Sequence, residues 1–139
     1  MVYVDSAPGI GASDPGFDGV EMPMPSLDEL RADENLDGLT QEDLETFRRR
    51  GVPESGLVVS QAAELTNDAR LYVPTTVICT GFPAEQVRAA IPDGYAWLAG
   101  LAEVRDVAYV DLPTSHWPMW SRPRGPAEII GGMAASHAT

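Results

Sequence analysis

The sequence predicts an α/β domain in which about three parallel strands carry flanking helices and an inserted helical segment. Three observations predict it. From residue 71 onward, β-branched runs alternate with helix-like stretches, the rhythm of right-handed crossovers on a parallel sheet. A short apolar triplet, Val2-Tyr3-Val4, is separated from the next such run by residues 5–70, which are rich in turn formers and acids. Glycine and proline number 13 and 12 among 139 residues, too many for a coiled coil or a bundle of long helices. A chain of this length makes one domain, and a hydrophobic share of 44% supplies a core. Residues 1–139 therefore read as one unit, with 5–70 as an insertion or lid and 71–139 holding the last two strands and their helices.

Val2-Tyr3-Val4 has the character of a short buried strand. Asp5 to Pro25 is dense in Gly, Pro, Ser and Asp and reads as a long loop, a length that suits lids and binding loops. Ser26 is placed to cap a short helix, with Asp28 and Glu29 in the first turn and Leu27 and Leu30 facing inward. Thr40 opens a second helix running through Phe47, with Leu39, Leu44 and Phe47 as its apolar stripe. Arg48-Arg49-Arg50 completes its last turn and Gly51 stops it. Ser60-Gln-Ala-Ala-Glu-Leu suggests one helical turn or two. Val73-Pro-Thr-Thr-Val-Ile-Cys-Thr, bounded by Gly81, is a strand buried on both faces. Pro83 starts a helix through Ile91, and Pro92-Asp93-Gly94 breaks it. Tyr95 to Glu103 is nearly all apolar and helical, Val107 to Asp111 is another strand, and Leu112 to Arg124 is a loop. A last helix spans about Pro126 to Ala135.

Charge narrows the partners. Twenty-one acids face nine arginines and no lysine, a formal net charge of -12. Residues 1–70 hold 15 of the acids and five arginines. Such a chain is repelled by phosphate backbones and anionic lipid, so neither nucleic acid nor a membrane is an expected partner. No stretch approaches the length of about 18 apolar residues that a span requires. The N-terminus lacks the basic head and apolar run of a signal peptide, and the single cysteine, Cys79, excludes an intramolecular disulfide, so a reducing cytoplasm is the expected compartment. Two histidines and scattered acids show no metal-ligand spacing, and no cofactor is expected.

The densest chemical signal is Asp111-Leu-Pro-Thr-Ser-His116-Trp-Pro-Met-Trp-Ser-Arg-Pro123. A histidine in the loop after a strand sits at the carboxyl edge of a parallel sheet, where open α/β sheets place their ligands. The bland alternative is a histidine that only packs between tryptophans. Cys79, inside a strand, reads as core rather than nucleophile. His137 lies in a small-residue tail and reads as without function. Gly9-Ile-Gly-Ala-Ser-Asp has neither a following helix nor a lysine and is a turn, not a phosphate loop.

The run from Val73-Pro-Thr-Thr-Val-Ile-Cys-Thr through Asp111-Leu-Pro-Thr-Ser-His-Trp-Pro-Met-Trp-Ser-Arg-Pro resembles the C-terminal end of an α/β-hydrolase, which closes with a strand, a Ser-His or Gly-His pair and a proline-led helix. Val2-Tyr-Val-Asp-Ser-Ala-Pro-Gly resembles the strand that precedes the lid in the same family. The resemblance implies a partial α/β-hydrolase fold and an esterase-like serine hydrolase with a Ser, acid and His triad, in which His116 is the base. It implies Asp5 or Glu85 as the acid; relatives place it after either strand. Asp111 reads instead as shaping the strand-end turn.

The family's nucleophile lies on a Gly-x-Ser-x-Gly turn, and one oxyanion donor follows it. Gly11-Ala-Ser13-Asp-Pro-Gly16 comes nearest, with its second glycine one residue late. The expectation is thus a C-terminal half beginning near the family's sixth strand, inactive as an isolated chain. Met22, Met24, Phe82, Trp117 and Trp120 are candidates to line an apolar pocket for a small ester or amide. The alternative is a non-catalytic binding module or one half of a split hydrolase, with the free sheet edge at Val2–Val4 inviting self-association or a completing N-terminal half.

Overall fold

The β-branched run after Pro74 does what its composition predicts. In the computed structural model, which describes residues 1–137, Thr75–Cys79 forms a central strand with every residue buried. The chain order is β1 (Val2–Val4), β2 (Glu21–Met22), α1 (Leu27–Asp33), α2 (Gln41–Arg50), β3 (Glu54–Ser55), α3 (Gly56–Ser60), β4 (Thr75–Cys79), α4 (Ala84–Ala90), α5 (Ala99–Glu103), β5 (Val107–Asp111), α6 (Pro118–Ser121) and α7 (Arg124–His137). Strands β1, β4 and β5 make a parallel sheet in the order β1-β4-β5. Its register pairs Val2 with Thr76, Val4 with Ile78, Thr75 with Val107 and Cys79 with Asp111. The α/β architecture expected from the alternating pattern is present.

Alternation along β4 divides its side chains between the two faces. Val77 and Cys79 meet Ala84 and Val87 of α4, Leu98 of the segment leading into α5, and Leu101 of α5 itself. Each large side chain in this cluster contributes about 1.5–3 kcal/mol by leaving water. Thr76 and Ile78 face the other way; there Thr76, Val2 and Ala108 share with Ile130 and Met133 of α7 a cleft of about 360 Å³. Tight approach on the first face depends on Gly100, where a side chain would run into the Pro8 carbonyl.

Residues 5–70 lie between β1 and β4 and carry β2, α1, α2, β3 and α3. Ser26 caps α1 in a full capping box: its Oγ accepts from the Glu29 amide, and Glu29 Oε2 accepts from the Ser26 amide. Thr40 and Asp43 repeat the device on α2. Leu30 and Leu44 are the buried residues of these helices, and Gly51 ends α2 where a side chain would strike Met24. Within the long loop, Glu21–Met22 pairs antiparallel with Glu54–Ser55.

Several elements differ from expectation. The helical turn expected over Ser60–Leu65 lies earlier, as α3. There Ser60 Oγ folds back to donate to the Gly56 carbonyl, and Gln61 turns extended. A 3-10 turn spans Asp68–Tyr72, started by Asn67, whose Oδ1 accepts from the Ala69 amide. The loop after β5 contains α6, which begins at Pro118, a residue with no amide proton to leave unpaired. The final helix begins two residues earlier than expected and reaches His137; the His137 side chain lies outside the described residues.

Candidate active site

A parallel sheet brings the carboxyl ends of all its strands to one edge, and three neighbouring strands here each deliver part of one constellation. Asp5 follows β1 directly. Its amide continues the ladder by donating to the Ile78 carbonyl (2.8 Å), and its backbone then turns to φ 45°. Left-handed φ is unusual outside glycine, although Asp and Asn adopt it more readily than other side chains. That turn directs the carboxylate across the strand ends. Oδ1 accepts from the amides of Thr80 (2.9 Å) and Gly81 (3.0 Å), just beyond β4. Oδ2 lies 2.7 Å from Nδ1 of His116, in the loop after β5. A side chain at Gly81 would press on Asp5 Oδ2, so the glycine gives the carboxylate its room.

The electrostatics follow from these contacts. Burial alone would raise the Asp5 carboxyl; the hydrogen bonds from His116 and from the Gly81 and Thr80 amides outweigh it and hold the group below its ordinary value. His116 is raised, first by the hydrogen bond to Asp5, against burial, with the Asp5 and Glu34 charges adding to the rise. The side chain of Asp5 is 13% exposed and that of His116 40%. The acid is thus sequestered while the imidazole reaches solvent. With Nδ1–H donated to the carboxylate, Nε2 carries the free lone pair, the tautomer a general base requires.

The loop presenting His116 is held from within and from the insert. Ser115, wholly buried, joins Ser121 through their hydroxyls (2.8 Å), Thr114 Oγ1 lies 2.6 Å from the same Ser121 Oγ, and Ser115 Oγ accepts from the Trp117 amide (3.1 Å). The His116 amide donates to the Asn35 carbonyl at the end of α1 (2.9 Å). Phe47 of α2 packs on Trp117 and Trp120, with ring centroids 4.7 and 6.0 Å apart. The insert is therefore fastened to the histidine loop at His116 itself and at the two tryptophans that follow it.

Of the two acids the sequence singles out, the structure brings Asp5 to His116. Glu85 sits exposed in the first turn of α4 and has no hydrogen bond to the imidazole. Asp111 does something else. Its Oδ1 accepts from the Ala84 amide (2.7 Å) and caps α4, whose own N-cap, Pro83, makes no side-chain hydrogen bond. Cys79 lies in the core, where burial first and the Asp111 and Asp5 charges next push its thiol up to about 11. It is protonated at neutral pH and a poor nucleophile.

A cavity of about 770 Å³ opens beside the pair, bounded by the Ser6–Ser13 loop, the apolar face of β4 and the α4–α5 layer, with His116, Asp5 and Glu34 at its polar side. Phe82 lines it; Met22, Met24, Trp117 and Trp120 do not. Met24 belongs to a groove with Leu27 and Arg48, and the tryptophans pack on Phe47. Trp97 and Glu34, which no sequence pattern marks, do line the cavity. Trp97 sits in an apolar stretch that reads as core, and Glu34 ends a helix some eighty residues before His116. Their proximity to the site is a product of folding alone.

Comparison with family models, with curated proteins and with solved structures found no match. Among the described residues no helix is long and apolar enough to cross a membrane, and no group of three or more His, Cys, Asp and Glu is placed to hold a metal ion.

Proposed function

We propose that this chain carries the acid–base part of an α/β-hydrolase-type serine hydrolase acting on carboxylic esters, with His116 as general base and Asp5 as the acid that orients it. The observation that carries the reading is the 2.7 Å Asp5–His116 contact at the carboxyl edge of a parallel sheet, with the second Asp5 oxygen held by two backbone amides. A carboxylate fixed by amides cannot rotate away, and it stabilises the imidazolium that forms when Nε2 takes a proton. In the proposed reaction a serine Oγ adds to the ester carbonyl as its proton passes to His116 Nε2. The proton then goes to the departing alkoxide as the ester C–O bond breaks. Water, activated by the same nitrogen, hydrolyses the acyl-serine.

The sequence contains no Gly-x-Ser-x-Gly turn, and His116 has no serine hydroxyl bonded to its ring among the described residues. The proposal therefore places the nucleophile and the oxyanion donors on a further segment or partner chain, seated along the edge of β1 that β4 does not pair. The 139-residue chain alone is expected to be inactive. The same free edge, with exposed Val52, Leu57 and Val58 on the insert, supports a second reading as a non-catalytic interaction module.

The test is expression of the chain together with the in-frame coding sequence upstream, assayed with p-nitrophenyl acetate. Turnover by the extended protein that His116→Ala abolishes supports the hydrolase. Turnover that survives His116→Ala overturns it. A sharply melting, monodisperse and inactive extended protein favours the interaction module.

A further inference from the structure

The cavity beside His116 has a charge and a shape that restrict what enters it. Its inner wall is apolar, built from Val77, Val87, Leu98 and Leu101. At its rim Phe82 and Trp97 stand with ring centroids 6.5 Å apart and planes tilted by 31°, and both are more than half exposed, at 57% and 52%. Two large rings left in water beside an apolar cavity form a platform for another flat apolar group. Their spacing leaves no gap for a ring between them, so a ligand lies against them. The volume of about 770 Å³ falls within the range of roughly 300–1,000 Å³ usual for small-molecule sites.

The ionised groups of the lining are unbalanced. Asp5 is matched by His116. Glu34 has no ion pair or side-chain hydrogen bond among the described residues, and no arginine lines the cavity of a chain that has no lysine. The potential inside is negative, set against an overall charge of -12. An anionic ligand would lose its hydration and meet Glu34 with no permanent cation to compensate.

We infer that the cavity binds ring-bearing small molecules that carry no negative charge, with Trp97 and Phe82 as the apolar platform and Glu34 as the residue that rejects anions. The inference deepens the hydrolase reading, since it names the substrate class as neutral or cationic aromatic and alicyclic esters. It rests on that reading only for the bond that reacts.

Binding to the 139-residue chain separates the two. Benzyl alcohol, benzylammonium and benzoate share one ring and differ in charge, and ligand-observed NMR at about pH 8 keeps the last two ionised. Benzyl alcohol and benzylammonium are expected to bind, with benzoate at least about fivefold weaker, the scale of one partly screened charge. Glu34→Gln should tighten benzoate about threefold and leave benzyl alcohol within about twofold. Trp97→Ala and Phe82→Leu should each weaken benzyl alcohol by about fivefold, the scale of a lost aromatic contact. Benzoate binding as tightly as benzyl alcohol, benzoate binding that Glu34→Gln leaves unchanged, or benzyl alcohol binding indifferent to both ring variants overturns the inference. Binding of benzyl alcohol needs no turnover, so a failed hydrolase and a failed pocket give different results.

Discussion

Replacing Asp5 by asparagine removes one charge and changes almost nothing else. Asn tolerates the left-handed backbone that residue 5 adopts (φ 45°), and its Oδ1 can still accept from the Thr80 and Gly81 amides. Its amide nitrogen then faces His116 Nδ1, and because that group only donates, the imidazole must accept at Nδ1 and hold its proton on Nε2. That is the tautomer opposite to the one the proposed general base requires. A charge-assisted hydrogen bond is worth about 1.5–3 kcal/mol when shielded. His116 is 40% exposed, so solvent screening reduces the loss to about 1 kcal/mol, or about 4 °C in melting temperature for a domain of this size.

The pH dependence fixes the sign. His116 is raised above 6.5 in the fold, so its contribution is complete below pH 6.5 and lost as pH rises through the raised value. Asp5 is lowered below 3.8, so its contribution is complete above pH 3.8 and lost as pH falls through the lowered value. The wild-type advantage over Asp5→Asn should therefore be greatest between those two pH values and shrink on either side. Proton NMR of the imidazole resonances, assigned with His116→Gln, should show His116 titrating at lower pH in Asp5→Asn, because the attraction is gone and burial remains. An unmoved His116 titration, or a stability difference that grows above the His116 transition, refutes the coupling.

Two further outcomes test the frame around the pair. Ile78 is wholly buried in the middle strand, so Ile78→Ala should cost about 2–5 kcal/mol in urea unfolding; a loss below about 1 kcal/mol would mean the sheet's α7 face is not packed as described. Phe47→Ala removes the ring that ties α2 to Trp117 and Trp120. It should red-shift tryptophan emission and speed amide exchange at His116, whose amide is covered by the end of α1; unchanged exchange there would show that the insert does not hold the loop.

Much of this architecture is legible in the sequence because it depends on local chemistry. The β-branched residues at 75–78 define a strand wherever they are buried, and Ser26 with Glu29 or Thr40 with Asp43 start helices through contacts three residues apart. The candidate base is legible too, since a histidine in the loop after a strand must lie at the sheet's carboxyl edge. Where local chemistry is weak, as over Ser60–Leu65, the reading misplaces the helix by a turn. The choice between Asp5 and Glu85 lies beyond any local rule: both follow strands, and only the order β1-β4-β5 with the left-handed turn at Asp5 aims one carboxylate across β4 at His116. Packing likewise sends Trp117 and Trp120 to Phe47 and leaves Trp97 and Phe82 at the cavity. Each of these pairings joins segments far apart in the chain, so its energy exists only once the sheet and its helical layer have formed.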